Sequence, residues 1–71
     1  MDPDKLLNLA AALGCRLAES GAEISRVEES VSRLLGAYGG TDPQVFAIPS
    51  CLIVSLKAAD GRSVTRMQRI R

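Results

Sequence analysis

Seventy-one residues make at most one domain, and a chain this short buries only about 60% of the surface its unfolded state exposes. Apolar residues make up 46% of it, which excludes a disordered chain, and with one Phe, one Tyr and no Trp the core has to come from Leu, Ile, Val and Ala. A net charge of +1 with both signs interspersed excludes strong attraction to a phosphate backbone, and the lack of histidine and of paired-cysteine spacing excludes a zinc site.

Asp2-Pro3 is a helix start: a capping side chain, then proline at the first helical position. Leu6, Leu9, Leu13 and Leu17 follow at spacings of 3, 4 and 4, and Leu7, Ala10, Ala11 and Ala18 widen the stripe. This predicts a helix from Pro3 to Glu19 with an apolar face broad enough for burial on two sides. Gly14 inside it marks a close helix contact. Nothing in MDPDKLL resembles a basic region followed by an apolar export signal, and no apolar run nears the roughly 20 residues that cross a bilayer. The expectation is a soluble, cytoplasmic piece. Cys15 and Cys51 both sit in apolar runs and read as small buried hydrophobes, with a disulfide between them left open.

The next stretch, SGAEISRVEESVSRLLGAYG, sets Ile24, Val27, Val31, Leu34, Leu35 and Tyr38 in one stripe and predicts a helix over 22–38. Glu29 and Arg33 stand at i, i+4 in the favourable order. Its start has two competing readings. Gly21 ends the first helix in a left-handed cap, or Ser20-x-x-Glu23 forms a capping box. Ser25-x-x-Glu28 is a second candidate box. Gly39-Gly40 stops the helix.

Thereafter the period changes to two. Strands are expected at 44–48, 51–58 and 63–70, with Pro49-Ser50 and Asp60-Gly61 as turns. A two-residue second turn sets Val54 opposite Met67; a three-residue loop with a bulged glycine sets Ile53 there. The order helix, helix, strand, strand, strand predicts an α+β fold, a helical hairpin packed on one face of a three-stranded antiparallel meander. Two open sheet edges want further cover, so the chain reads as an excerpt of a longer protein.

Chemistry is sparse. Glu23, Arg26 and Glu28 gather on one turn near the positive end of a helix, where they can orient an amino-acid or carboxylate ligand or dock a partner segment. Ser50 sits at a sharp turn, but no histidine exists to activate it and the Gly-x-Ser-x-Gly elbow is absent. Arg62, Arg66, Arg69 and Arg71 crowd the last ten residues; without aromatic neighbours to stack bases they read as a solvated strand face rather than a nucleic-acid surface. Arg66 and Arg69 are candidates to pair with Glu23 or Glu28 across the helix–sheet interface. No catalytic residue, metal or cofactor is expected.

Taken together, Ser-Gly-Ala-Glu-x-x-Arg-Val-Glu, Tyr-Gly, Val-Phe-x-x-Pro-Ser, Val-Ser-Leu, Asp-Gly and Thr-Arg resemble the N-terminal region of the bacterial threonine/serine exporter family, from about Leu9 to Arg69. The resemblance implies a domain on the cytoplasmic face of the inner membrane, followed by membrane helices. It implies efflux of threonine or serine driven by the proton motive force, with dicarboxylates as an alternative substrate class. The family's motif falls on Gly21, Ala22, Glu23, Arg26, Val27 and Glu28, on Tyr38 and Gly39, and on Phe46, Pro49 and Ser50, where the family often carries Thr. It falls last on Ser55, Asp60, Gly61, Thr65 and Arg66. Glu23, Arg26, Glu28, Ser50, Ser55, Thr65 and Arg66 are therefore candidates for substrate contact or gating; Gly21, Tyr38, Gly39, Phe46, Pro49, Asp60 and Gly61 are candidates for structural roles. The implied partners are the membrane-embedded remainder, a second copy and a small amino acid. A piece with no span cannot itself transport; it would act as gate, sensor or assembly surface. The rival readings are a protein-interaction or oligomerisation module and a small hydrolase-like domain.

Overall fold

A computed structural model describes residues 2–71. The elements are α1 (Pro3–Glu19), α2 (Ile24–Ala37), β1 (Thr41–Ile48), β2 (Cys51–Lys57) and β3 (Ser63–Arg69). The strands form one antiparallel sheet in the order β1-β2-β3, and both helices lie on one face of it, α2 over β1 and α1 over β2 and β3. The α+β hairpin-on-meander expected from the sequence is the fold observed. Among the described residues no helix is long and apolar enough to cross a membrane.

The buried stripe of α1 differs from the expected one. Leu6, Leu7, Ala10, Ala11 and Gly14 are buried, while Leu9 and Leu13 are 47% and 36% exposed. The leucine spacing of 3, 4 and 4 marked an apolar side, but the small residues decide which side faces inward. A Cβ on Gly14 would lie 2.5 Å from Leu52 Cδ2 and 2.9 Å from Val31 Cγ2. The α1 backbone there meets side chains of α2 and of the central strand directly. Gly14→Ala would gain about 1 kcal/mol of helix propensity and incur about 1–3 kcal/mol of overpacking. A net loss of about 1 kcal/mol, read from the urea midpoint, is the expected outcome.

Both helices end in the same hydrogen-bonded motif. At the end of α1, Ala22 N donates to Leu17 O (3.0 Å) and Gly21 N to Ala18 O (3.1 Å), with Gly21 at φ +95°. At the end of α2, Gly40 N donates to Leu35 O (2.8 Å) and Gly39 N to Gly36 O (3.1 Å), with Gly39 at φ +80° and Tyr38 as the exposed cap. These are Schellman caps, in which a left-handed glycine turns the chain back onto the last carbonyls.

Leu52, Val54 and Leu56 of β2 point under the helices and form the core with Val27, Val31 and Leu35 of α2 and the buried stripe of α1. β1 begins at Thr41, three residues earlier than the sequence suggested. A one-residue irregularity between Thr41 and Gln44 lets the strand carry Pro43 and an Asp42 at φ +49°. Pro49-Ser50 is a two-residue turn closed by Ile48 and Cys51. In the second hairpin Ala58 N donates to Arg62 O (2.8 Å) and Gly61 N to Ala58 O (2.9 Å), so the loop is Ala59-Asp60-Gly61 with Gly61 at φ +86°. Ile53 therefore faces Met67, the register of the three-residue alternative. Asp60 fastens the loop by accepting from Arg62 N (3.0 Å) and Nε (2.7 Å), and those bonds hold its carboxyl below the ordinary value.

Candidate functional site

The Gly-Ala-Glu stretch is the joint between the two helices. Ser20 Oγ donates to Leu17 O (2.9 Å) rather than capping α2, so the glycine cap prevails over the Ser20 box. Glu23 occupies the N-cap position of α2 without a side-chain cap bond, and its carbonyl receives Val27 N at 3.0 Å. Its carboxylate is left to solvent beside Arg26. Glu23, Ser25, Arg26 and Glu29 line a shallow hollow of about 130 Å³. Closed ligand sites run to about 300–1,000 Å³, so this hollow suits a docked charged group more than an enclosed substrate.

Glu28, one turn further on, serves a different purpose from the Ser25 box. Its Oε2 accepts the backbone N–H of Ala47 at 2.8 Å, tying α2 to β1. That N–H points away from β2, into the outer edge of the sheet. Pro43, with no N–H, and the irregularity at Thr41–Gln44 blunt the same edge further. Arg66 and Arg69 pair with neither Glu23 nor Glu28, contrary to expectation. The ion pairs among the described residues are Arg33–Glu29 (3.3 Å), Lys57–Asp42 (3.8 Å) and Arg62–Asp60 (2.7 Å). The reason is topological: α1 lies over β3, and α2, carrying both glutamates, lies over β1 at the opposite edge.

The sheet face away from the helices is uncovered. The register sets its side chains in rows: Ile48, Cys51 and Arg69; Phe46, Ile53 and Met67; Gln44, Ser55 and Thr65. Phe46 is 56% and Met67 68% exposed, and Ile48 is also exposed. Ser55 and Thr65 stand opposite each other, so two of the candidate hydroxyls share one row. Arg66 faces the helix side opposite Val54 and is exposed. Ser50 lies at the end of the sheet, where Ser50, Cys51, Met67, Arg69 and Ile70 line a hollow of about 400 Å³; its carbonyl accepts Ile70 N at 2.9 Å. A third hollow of about 250 Å³ is lined by Gln44, Val45, Phe46, Ile53 and Ser55. No carboxylate lines the Ser50 hollow, so no base stands there to activate its hydroxyl.

The seven candidate residues thus do not form one site. Glu23 and Arg26 share one hollow, Ser55 and Thr65 share a row, and Ser50, Glu28 and Arg66 lie apart.

A family model described as "Putative threonine/serine exporter" (ThrE) matches residues 8–71. The chain belongs to the threonine/serine exporter family. No curated protein and no solved structure matches it. The exporter family is a family of transporters rather than enzymes. The match spans both helices from Asn8 on and all three strands, so the GAE joint, the Glu28 tie and the uncovered face all lie within it.

Ile53, Met67 and Gln44 were not among the candidate site residues, although the alternation of Cys51–Leu56 together with the turn register brings them beside Phe46 and Ser55. In this exporter-family chain the cysteines are free and half-buried, Cys15 on α1 and Cys51 on the uncovered face, with the sheet between them. Partial burial pushes the Cys15 thiol above its ordinary value, and Glu19, whose Oε2 accepts its S–H at 3.4 Å, pushes it further. The raised value leaves less thiolate at neutral pH. Iodoacetamide is expected to modify Cys15 more slowly at pH 7.5 than a free cysteine, with the rate still climbing above pH 9. A fast reaction at neutral pH, followed by mass spectrometry, would count against this microenvironment.

Proposed function

We propose that this chain serves a threonine/serine exporter as its non-membrane domain, resting its uncovered sheet face on the membrane-embedded remainder and acting there as gate, sensor or assembly surface. The observation that carries the reading is the apolar row of exposed Phe46, half-buried Ile53 and exposed Met67, in a family whose activity requires membrane spans that the described residues do not supply. In this reading the domain sits on the cytoplasmic side, the intact protein uses the proton motive force, and the cargo is threonine or serine, with a dicarboxylate as the alternative.

The test is made in the intact exporter. Phe46→Ser combined with Met67→Ser is expected to lower threonine efflux severalfold while leaving the thermal midpoint of the 71-residue chain nearly unchanged, because neither side chain enters the core. Full efflux in that variant overturns the docking role.

Glu23 and Arg26 are proposed as the charged contact at the start of α2. Their side chains are exposed, so Glu23→Gln and Arg26→Ala should lower efflux without unfolding the domain. Unchanged efflux in both removes them from the site and leaves the family assignment standing. The same apolar row also supports a second reading, self-association. A mass that rises with concentration in ultracentrifugation favours it, and a strict monomer at high concentration counts against it.

A further inference from the structure

The two edges of the sheet are treated differently by the fold. The β1 edge is closed by three devices: Pro43, the irregularity at Thr41–Gln44, and the Glu28 carboxylate on Ala47 N. The β3 edge has none of them. β3 runs seven residues without proline and pairs with β2 in unbroken register from Cys51 opposite Arg69 to Lys57 opposite Ser63.

The direction of its free groups follows from bonds at both ends. Ile70 N donates to Ser50 O and Ala58 N to Arg62 O, both in the register of the β2–β3 ladder. Antiparallel hydrogen-bonded pairs alternate, so Val64, Arg66 and Gln68 bond to β2. The N–H and C=O groups of Thr65 and Met67 therefore point outward, away from the sheet. Unpaired edge groups of this kind are a template for an added strand.

Charge selects the strand. From Gly61 to Arg71 the chain has four arginines and no carboxylate. Arg62 is held by Asp60, while Arg66 and Arg69 enter no ion pair among the described residues. One lies on each face of β3. Two copies of β3 paired antiparallel bring like charges together, which disfavours self-pairing. We propose that the β3 edge accepts an acidic extended segment of another polypeptide as a fourth strand. Backbone bonds at Thr65 and Met67 would hold it, and Arg66 and Arg69 would select for carboxylates. This inference concerns the edge and stands independently of the role proposed for the uncovered face.

The probe is a labelled, end-capped peptide of repeated Glu-Glu-Val-Val, as long as β3, which sets carboxylates on both faces of an added strand; it is titrated with the 71-residue chain by fluorescence anisotropy. Saturable binding that weakens with salt is expected, with none for the lysine–valine counterpart. Thr65→Pro removes an outward N–H while sparing the ladder to β2, and proline is tolerated at such an edge position. It should weaken binding about tenfold or more. Arg66→Glu with Arg69→Glu should do the same without touching the backbone.

Equal binding by Thr65→Pro overturns the added strand, because contact by charge alone does not need that N–H. No binding of the glutamate peptide overturns the proposal outright. So does a dimer in ultracentrifugation that Thr65→Pro dissociates, which would make the occupant a second copy. Failure of this titration leaves the efflux test of the uncovered face untouched.

Discussion

Gly40→Ala is expected to lower the thermal midpoint of the 71-residue chain by about 10 °C or more. The added Cβ would lie 2.6 Å from the carbonyl oxygen of Leu35 and 2.7 Å from Cδ2 of Leu56. The Leu35 oxygen cannot step aside, because it is the acceptor of Gly40's own N–H at 2.8 Å and its displacement undoes the cap of α2. Leu56 is 2% exposed and equally hemmed in. Overpacking of this kind costs about 1–3 kcal/mol, and the weakened cap bond adds about 1 kcal/mol. A domain of this length has about 4–10 kcal/mol in all. Gly40 is outside the left-handed region that Gly39 occupies, so the loss comes from space and not from backbone strain. Gly36→Ala is the control: nothing lies within 4 Å of its Cβ, and inside α2 it should stabilise by up to about 1 kcal/mol. A Gly40→Ala midpoint within a degree or two of the parent would show that the α2–β1 joint is loose.

Gly39 and Gly40 also show what a sequence can and cannot reveal. A glycine pair after a periodic stripe announces a helix stop. Which glycine is needed for its φ and which for its missing Cβ depends on Leu56, sixteen residues further on. The same limit explains α1. Period marked Leu9 and Leu13 as apolar along with Ala10 and Ala11, but Leu9 and Leu13 stay exposed while Ala10, Ala11 and Gly14 are buried, and at Gly14 the missing Cβ lets the backbone approach Leu52 and Val31. The strands and turns were legible from alternation and from Asp60-Gly61. The choice between two registers was not, because it depends on whether the loop spends two residues or three.

The candidate site was less legible than the fold. Glu23 and Arg26 are three apart on one helix, and local spacing suffices to place them together. Ser55 and Thr65 meet only through the β2–β3 register, and the family resemblance singled them out separately. Glu28 was grouped with Glu23 and Arg26 by nearness in sequence. Its side chain instead crosses to a strand nineteen residues away, and no pattern of residue types announces a carboxylate that accepts a backbone N–H at a sheet edge.

That bond makes Glu28→Ala the second large effect. A hydrogen bond to a charged group contributes about 1.5–3 kcal/mol when its partner would otherwise lose its match, and the Ala47 N–H is part-buried. The urea midpoint should fall accordingly, and Glu28→Gln, which keeps an acceptor oxygen in place, should fall by roughly half as much. The structural consequence separates this bond from an ordinary surface contact. Without the carboxylate, Ala47 offers its N–H at the sheet edge between Phe46 and Ile48, both exposed and apolar. A flat apolar edge with free N–H groups recruits further strands. Glu28→Ala is therefore expected to scatter light on mild heating in a concentration-dependent way, with Glu28→Gln intermediate and the parent clear. A Glu28→Ala chain that keeps its midpoint and stays monodisperse would mean that Pro43 and the strand irregularity protect the β1 edge unaided.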